Sequence, residues 1–295
     1  MGLFFSSDRF TRPGPGVRPD APRKKGVARL AEIMGRDMWS FFRAGFLAFL
    51  GCLPFIIGMF FAVETHALLF MLLAGIIGGL IAGPELSAMA DTVLRSLRDE
   101  PGYWWETYRR VWKRNARESL VPGMLTGLVL SIQIFTLFHM SVISAGIVTW
   151  ALLILSFMVT LGLESYIWPQ IALLDLPLYG ILKNSLLLFL GYLPRSLGAI
   201  AIKAVYWGAI LLFFPLTTII LPFTNFWLPM LPALLCIYQP LNKCFTIEST
   251  INKMREDDLN AALAKDNEPL PEEPAAEAEE TSEEPASDDS SSDAQ

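Results

Sequence analysis

Six stretches of the chain, at about 41–63, 67–83, 121–138, 143–162, 196–214 and 226–245, are nearly unbroken runs of apolar residues. A helix needs roughly 17 to 25 such residues to cross a hydrocarbon core. All six therefore read as transmembrane helices, with 67–83 at the short limit. Between the second and third runs lies the one long charged segment, 84–120. In its first half Leu86, Met89, Ala90, Val93, Leu94 and Leu97 recur at intervals of three and four, the stripe of an amphipathic helix. Asp91 and Arg95 fall outside that stripe, one turn apart, and can pair. Asp99, Glu100, Pro101 and Gly102 then predict a turn and a new helix start.

The second half of the segment places Trp104, Tyr108, Val111 and Trp112 on one side and Arg109, Arg110, Lys113, Arg114 and Arg117 largely on the other. This predicts a helix lying in the membrane surface, with its rings at headgroup level. Each basic side chain near an anionic leaflet is worth on the order of 1 kcal/mol. The same residues, with Trp105, are the candidate surface for the bilayer interface or for docking a cytoplasmic partner. Nucleic acid is not an expected partner beside membrane spans. The segment 164–195 is interrupted by Asp175, Pro177, Lys183 and Asn184, and is expected to be a second cytoplasmic or interfacial element.

Gly75, Gly79 and Gly83 form overlapping GxxxG patterns in the second run, and Gly123 and Gly127 repeat the spacing in the third. Small residues one turn apart let helices approach closely, so these faces should pack inside a bundle, against another span or another copy of the chain. Polar groups inside spans are costly and therefore informative. Lys203 sits about two turns into the fifth run and is expected to snorkel to the surface, with pairing to Glu164 as the alternative; Gln133 and Glu85 are further candidates.

Composition supports a membrane protein: 53% hydrophobic residues against 18% charged. The formal net charge of −6 hides an asymmetry, because the chain from Asp266 onward holds twelve acidic residues and no basic one, leaving a net of +6 on residues 1–265. Basic residues number nine in 1–43, seven in 84–120, two in 164–195 and four in 243–265, and none falls at 64–66, 139–142 or 215–225. The positive-inside rule then places both termini in the cytoplasm of a multi-pass cell-membrane protein. The reading is an all-α polytopic membrane helix bundle of about six spans with cytoplasmic amphipathic helices. A flexible basic arm at 1–28 precedes a membrane domain at 29–263, and a disordered acidic tail at 264–295 follows it. Met1, Gly2 and Ser6 match a myristoylation pattern, one short enough for chance to explain. The spans also fall into three pairs, 41–120, 121–195 and 196–263, each with a cytoplasmic segment, a weak sign of a hairpin repeat.

Chemistry is sparse. No phosphate-binding glycine loop, nucleophile elbow, HExxH or paired-cysteine spacing occurs, so no catalytic residue, metal site or cofactor is expected and the chain reads as a non-enzyme. Cys52, Cys236 and Cys244 are odd in number and scattered, and are expected to be buried as small hydrophobes. His66 and His139, the only histidines, both fall in predicted outer loops, where solvated rings are the expectation and a metal or proton site with Glu64 the alternative.

The segments GPELSAMADTVLRSLRDEPGYWWETYRRVWKRNARESLVPG, PGPGVRPDAPRKKG and DLPLYGILKNSLLLFLGYLPRS together resemble the bacterial YesL-like membrane family over roughly residues 1–250. That resemblance implies an integral membrane protein associated with carbohydrate utilisation, an accessory to sugar uptake, and carries no catalytic residues. The expected function is therefore an accessory or regulatory component, with a sugar-transporter subunit or a cytoplasmic protein as partner. A small-solute transporter is the alternative.

Overall fold

The computed structural model describes residues 23–100, 102–142 and 146–266. The N-terminal arm through residue 22, with its myristoylation pattern, and the acidic tail from 267 lie outside the described residues, as does Pro101. Among the described residues the regular structure is entirely helical. The helices are α1 (Gly26–Thr65), α2 (Leu68–Leu97), α3 (Trp104–Phe138), α4 (Ile147–Leu173), α5 (Leu178–Gly191), α6 (Leu193–Leu212), a short α7 (Leu221–Thr224), α8 (Trp227–Phe245) and α9 (Ile247–Asp266). Six segments are long and apolar enough to cross a membrane: α1, α2, α3, α4, α6, and α7 with α8. The chain through Glu248 forms one compact unit, and Ser249 onward forms a second, helical as far as Asp266.

The two longest helices, α1 and α3, exceed the length that a single crossing needs. At 1.5 Å per residue, the 40 residues of α1 span about 60 Å and the 35 of α3 about 52 Å, against a hydrocarbon core of about 30 Å. Arg29 of α1 bonds Asp99 in the α2–α3 turn and Arg23 bonds Glu248, so the terminal ends of the helices meet there. We call this the terminal end; the α1–α2 and α3–α4 connections lie at the distal end.

This corrects the reading of 84–120 as helices lying in the membrane surface. Residues 84–97 are the continuation of the second span, and 104–120 run through Pro122 into the third span without a break. The segment 164–195 is corrected likewise: 164–173 belong to α4, and only α5 is a separate short helix.

The α2–α3 pair is the spine of the bundle. A Cβ placed on Gly75, Gly79, Gly83, Gly123 or Gly127 would come within 3.0 Å of atoms on the facing helix: Gly75 and Gly79 oppose Gly127 and Gly123, and Gly83 opposes the Ser119 carbonyl. Backbone therefore touches backbone over two to three turns, and the close-packing partner is another span of the same chain. α2 also carries a π-helical turn at Ala74–Gly78. There Gly78 faces the backbone of Phe55 in α1 while Gly75 faces α3, so one turn serves two neighbours.

Candidate functional site

At the terminal end the α2–α3 turn is tied down by charge. Asp99, in a left-handed conformation (φ 60°), accepts hydrogen bonds from Arg29 Nη2 at 2.7 Å and from Arg36 Nη1, and lies 3.1 Å from Arg23 Nε. One carboxylate thus gathers three guanidinium groups from the start of the chain. Partial burial would raise the Asp99 carboxyl, but the hydrogen bonds from Arg36 and Arg29 and their charges outweigh it and hold it below its ordinary value. Beside it Glu100 accepts from Arg98 Nε at 2.8 Å and lies 3.4 Å from Arg95 Nη1. Arg95 donates to Asp91 at 2.7 Å, one turn apart, as the spacing predicted. Asp91, expected on a solvated face, is buried, because α2 runs between α1, α3 and α4 and has no face to spare.

A second node joins α1, α2 and α3. Glu85 accepts from Tyr108 Oη at 2.5 Å and from Trp112 Nε1 at 2.9 Å, and a Cβ on Gly51 would strike its side chain. Tyr108 is only 4% exposed. The aromatic side of 104–120 therefore packs on α2 instead of meeting lipid headgroups. Trp104 is half-buried, stacked near Tyr108 and under Arg43. Trp105 (56% exposed), Arg109, Lys113 and Arg117 remain on the outer side, and Trp112 lies at its edge. Arg110 is exposed and paired with Glu106; Arg114 is exposed at its tip and donates to the Ala172 carbonyl of α4 at 2.7 Å. A hollow between α1, α2 and the start of α3 is lined by residues including Asp37, Ser40, Thr92, Trp104 and Thr107, and among the described residues the buried Trp104 Nε1 has no acceptor.

Inside the spans, Gln133 of α3 donates to Ser156 Oγ at 2.6 Å and Thr160 Oγ1 at 2.7 Å, both on α4. Lys203 is 7% exposed and lines an internal void of about 10 Å³ with Glu164, Ser165, Pro169 and Met230. It does not snorkel. Nor does it form the alternative ion pair with Glu164: the two line the same void, and among the described residues no carboxylate lies within 4.0 Å of its amine. Sequence reasoning missed the polar clamp of α4, α5 and α6, in which Gln170 donates to Ser185 at 2.8 Å and Tyr166 bonds Ser196 at 2.8 Å. The only signal was the run of polar residues at one end of an apolar stretch. Of the cysteines, Cys52 is buried, Cys236 half-buried and Cys244 exposed, contrary to the expectation of three buried ones.

At the distal end the two histidines meet. His66 Nδ1 lies 2.7 Å from His139 Nε2, and His139 Nδ1 lies 2.8 Å from the Phe135 carbonyl. His139 is buried and Phe135 stacks on its ring, so solvation was the wrong expectation for this ring; His66 is exposed. Among the described residues no group of three or more metal-ligating side chains occurs. Compared with protein-family models, curated proteins and solved structures, the chain matches none.

Proposed function

We propose that this chain is an accessory or regulatory membrane subunit that docks a partner protein on the basic edge of α3, on the cytoplasmic side. One observation carries the proposal: α3 runs unbroken from Trp104 to Phe138 with its aromatic side occupied by α2, while Trp105, Arg109, Lys113 and Arg117 stay exposed. Tryptophan and arginine are the side chains that most often anchor protein interfaces. The hollow that Trp104 and Thr107 line at the start of the same helix offers a partner a place to insert a side chain whose acceptor would meet Trp104 Nε1. The distribution of basic residues supports the cytoplasmic assignment. The resemblance to the YesL-like family makes a sugar-transporter subunit the first partner to test.

The competing reading, a small-solute transporter, needs a polar cavity at membrane depth. The void beside Lys203, at about 10 Å³, has room for about one water molecule. That favours the docking role.

The test is cross-linking mass spectrometry in native membranes with a photo-reactive residue at position 105 or 113. One protein recurring among the adducts, and lost several-fold on Arg109→Glu, supports the proposal. Adducts to lipid or to the chain itself alone would reduce the basic edge to an orienting feature.

A further inference from the structure

We infer that His66 and His139 form a proton-operated clamp that holds the distal end of the α1–α2 turn against the end of α3 and releases it on acidification. The two residues are 73 positions apart and come from different connections, yet their nitrogens sit at hydrogen-bond distance. The proton arrangement follows from the third partner. A backbone carbonyl can only accept, so His139 Nδ1 carries a proton and donates it to Phe135 O. In the neutral ring Nε2 is then the acceptor, and His66 Nδ1–H must be the donor.

That assignment fixes what each added proton does. The first goes to His66 Nε2, which has no hydrogen-bond partner among the described residues and belongs to an exposed ring. Both hydrogen bonds survive, and the bond between the rings becomes charge-assisted and stronger. A second proton has only His139 Nε2 left to occupy. There it removes the acceptor and sets two imidazolium cations face to edge, so the rings must part. The clamp therefore tightens with one proton and opens with two, and the two steps belong to the pair and not to either ring.

The surroundings give the protons little else to act on. Of the elements packed around the pair, α1 offers Glu64 in its last turn, and neither α2 through Gly83 nor the stretch from Ser119 to Leu163 holds another titratable side chain. His66 also occupies a left-handed conformation (φ 54°) that a non-glycine residue adopts at a cost, so the connection there is held by its contacts. The released segment leads directly into α2 and its π-helical turn, on the same helix pair that the glycines close.

Because the chain contains two histidines, ¹⁵N-histidine labelling of the full chain in lipid nanodiscs reports on this pair alone. At pH 8 the expected spectrum has His139 as the Nδ1–H tautomer, with a coupling across the hydrogen bond to His66. On acidification the first proton should appear on His66 Nε2 with the coupling retained. The second should abolish the coupling and raise amide exchange at residues 66–70 at least several-fold. In His66→Gln the exchange should lose its two-step pH dependence. An Nε2–H tautomer at His139, two rings that titrate independently, or exchange at 66–70 that ignores both steps would overturn the clamp.

Discussion

Adding one methyl group at Gly79 should destabilise the bundle, whereas adding one at Gly208 should not. Both residues lie inside helices, where alanine is intrinsically favoured over glycine by roughly 1 kcal/mol. At Gly208 nothing lies within 4 Å of the added carbon, so that preference should appear as a gain of about 0.5 to 1 kcal/mol. At Gly79 the carbon would fall on the Gly123 carbonyl group and within about 3.1 Å of Met124 Cα, all of it backbone on the facing helix. No side chain can rotate away. The helices must separate, and the neighbouring approaches of Gly75 to Gly127 and Gly83 to Ser119 loosen with them. Overpacking of this kind costs about 1 to 3 kcal/mol, and the lost dispersion contacts along two further turns place the expected loss toward the upper end. Reversible unfolding in mixed micelles, followed by tryptophan fluorescence, measures both variants. Equal shifts of the same sign for Gly79→Ala and Gly208→Ala would show that the α2–α3 spine is not a backbone-to-backbone contact.

Three further outcomes follow from the polar groups. Asp99→Asn preserves the left-handed backbone but leaves Arg23, Arg29 and Arg36 without their shared carboxylate, and, because solvent screens this cluster, should cost about 1 kcal/mol at pH 7. Because folding lowers the carboxyl's pKa, its contribution is present above the ordinary carboxylate range and is lost as pH falls through about 4 and below, so wild type and variant should converge there; a difference independent of pH would contradict the network. Gln133→Leu should change stability by less than about 1 kcal/mol, since hydrogen bonds between membrane helices average about 0.6 kcal/mol, and a larger loss would mean the amide holds something beyond Ser156 and Thr160. Lys203→Met should stabilise the bundle by about 1 to 3 kcal/mol, because it removes a buried amine that, among the described residues, has no carboxylate within ion-pair distance; destabilisation in the same unfolding assay would show a compensated charge.

The spans were legible because lipid imposes one demand on every side chain that faces it. Runs such as Phe41 to Val63 have no other reading, and the GxxxG spacing pointed to close helix approach for the same reason, since in lipid only close contact rewards the loss of side chains. The helix partners were not legible. Gly75, Gly79 and Gly83 announce a close neighbour without naming it, and α3 became that neighbour only because Gly123, Gly127 and Ser119 continue the small stripe in antiparallel register. The histidine pair was beyond reach for a related reason. Residues 66 and 139 belong to two different connections, and no local pattern relates one loop to the other.

The terminal half of the α2–α3 hairpin was misread because amphipathic periodicity is silent about what covers the apolar stripe. A helix on a membrane surface and a helix on another helix bury the same spacing of residues. What separates them is the polar groups within the stripe. Lipid tails offer Glu85 no donor, so an apolar membrane surface could not keep its carboxylate on a buried side. Here Tyr108 and Trp112 supply the donors to Glu85. The basic residues are thereby pushed to the opposite side by the packing itself. Their exposure is a consequence of where the aromatic rings are used, and a charge that the fold leaves outside is available for a partner.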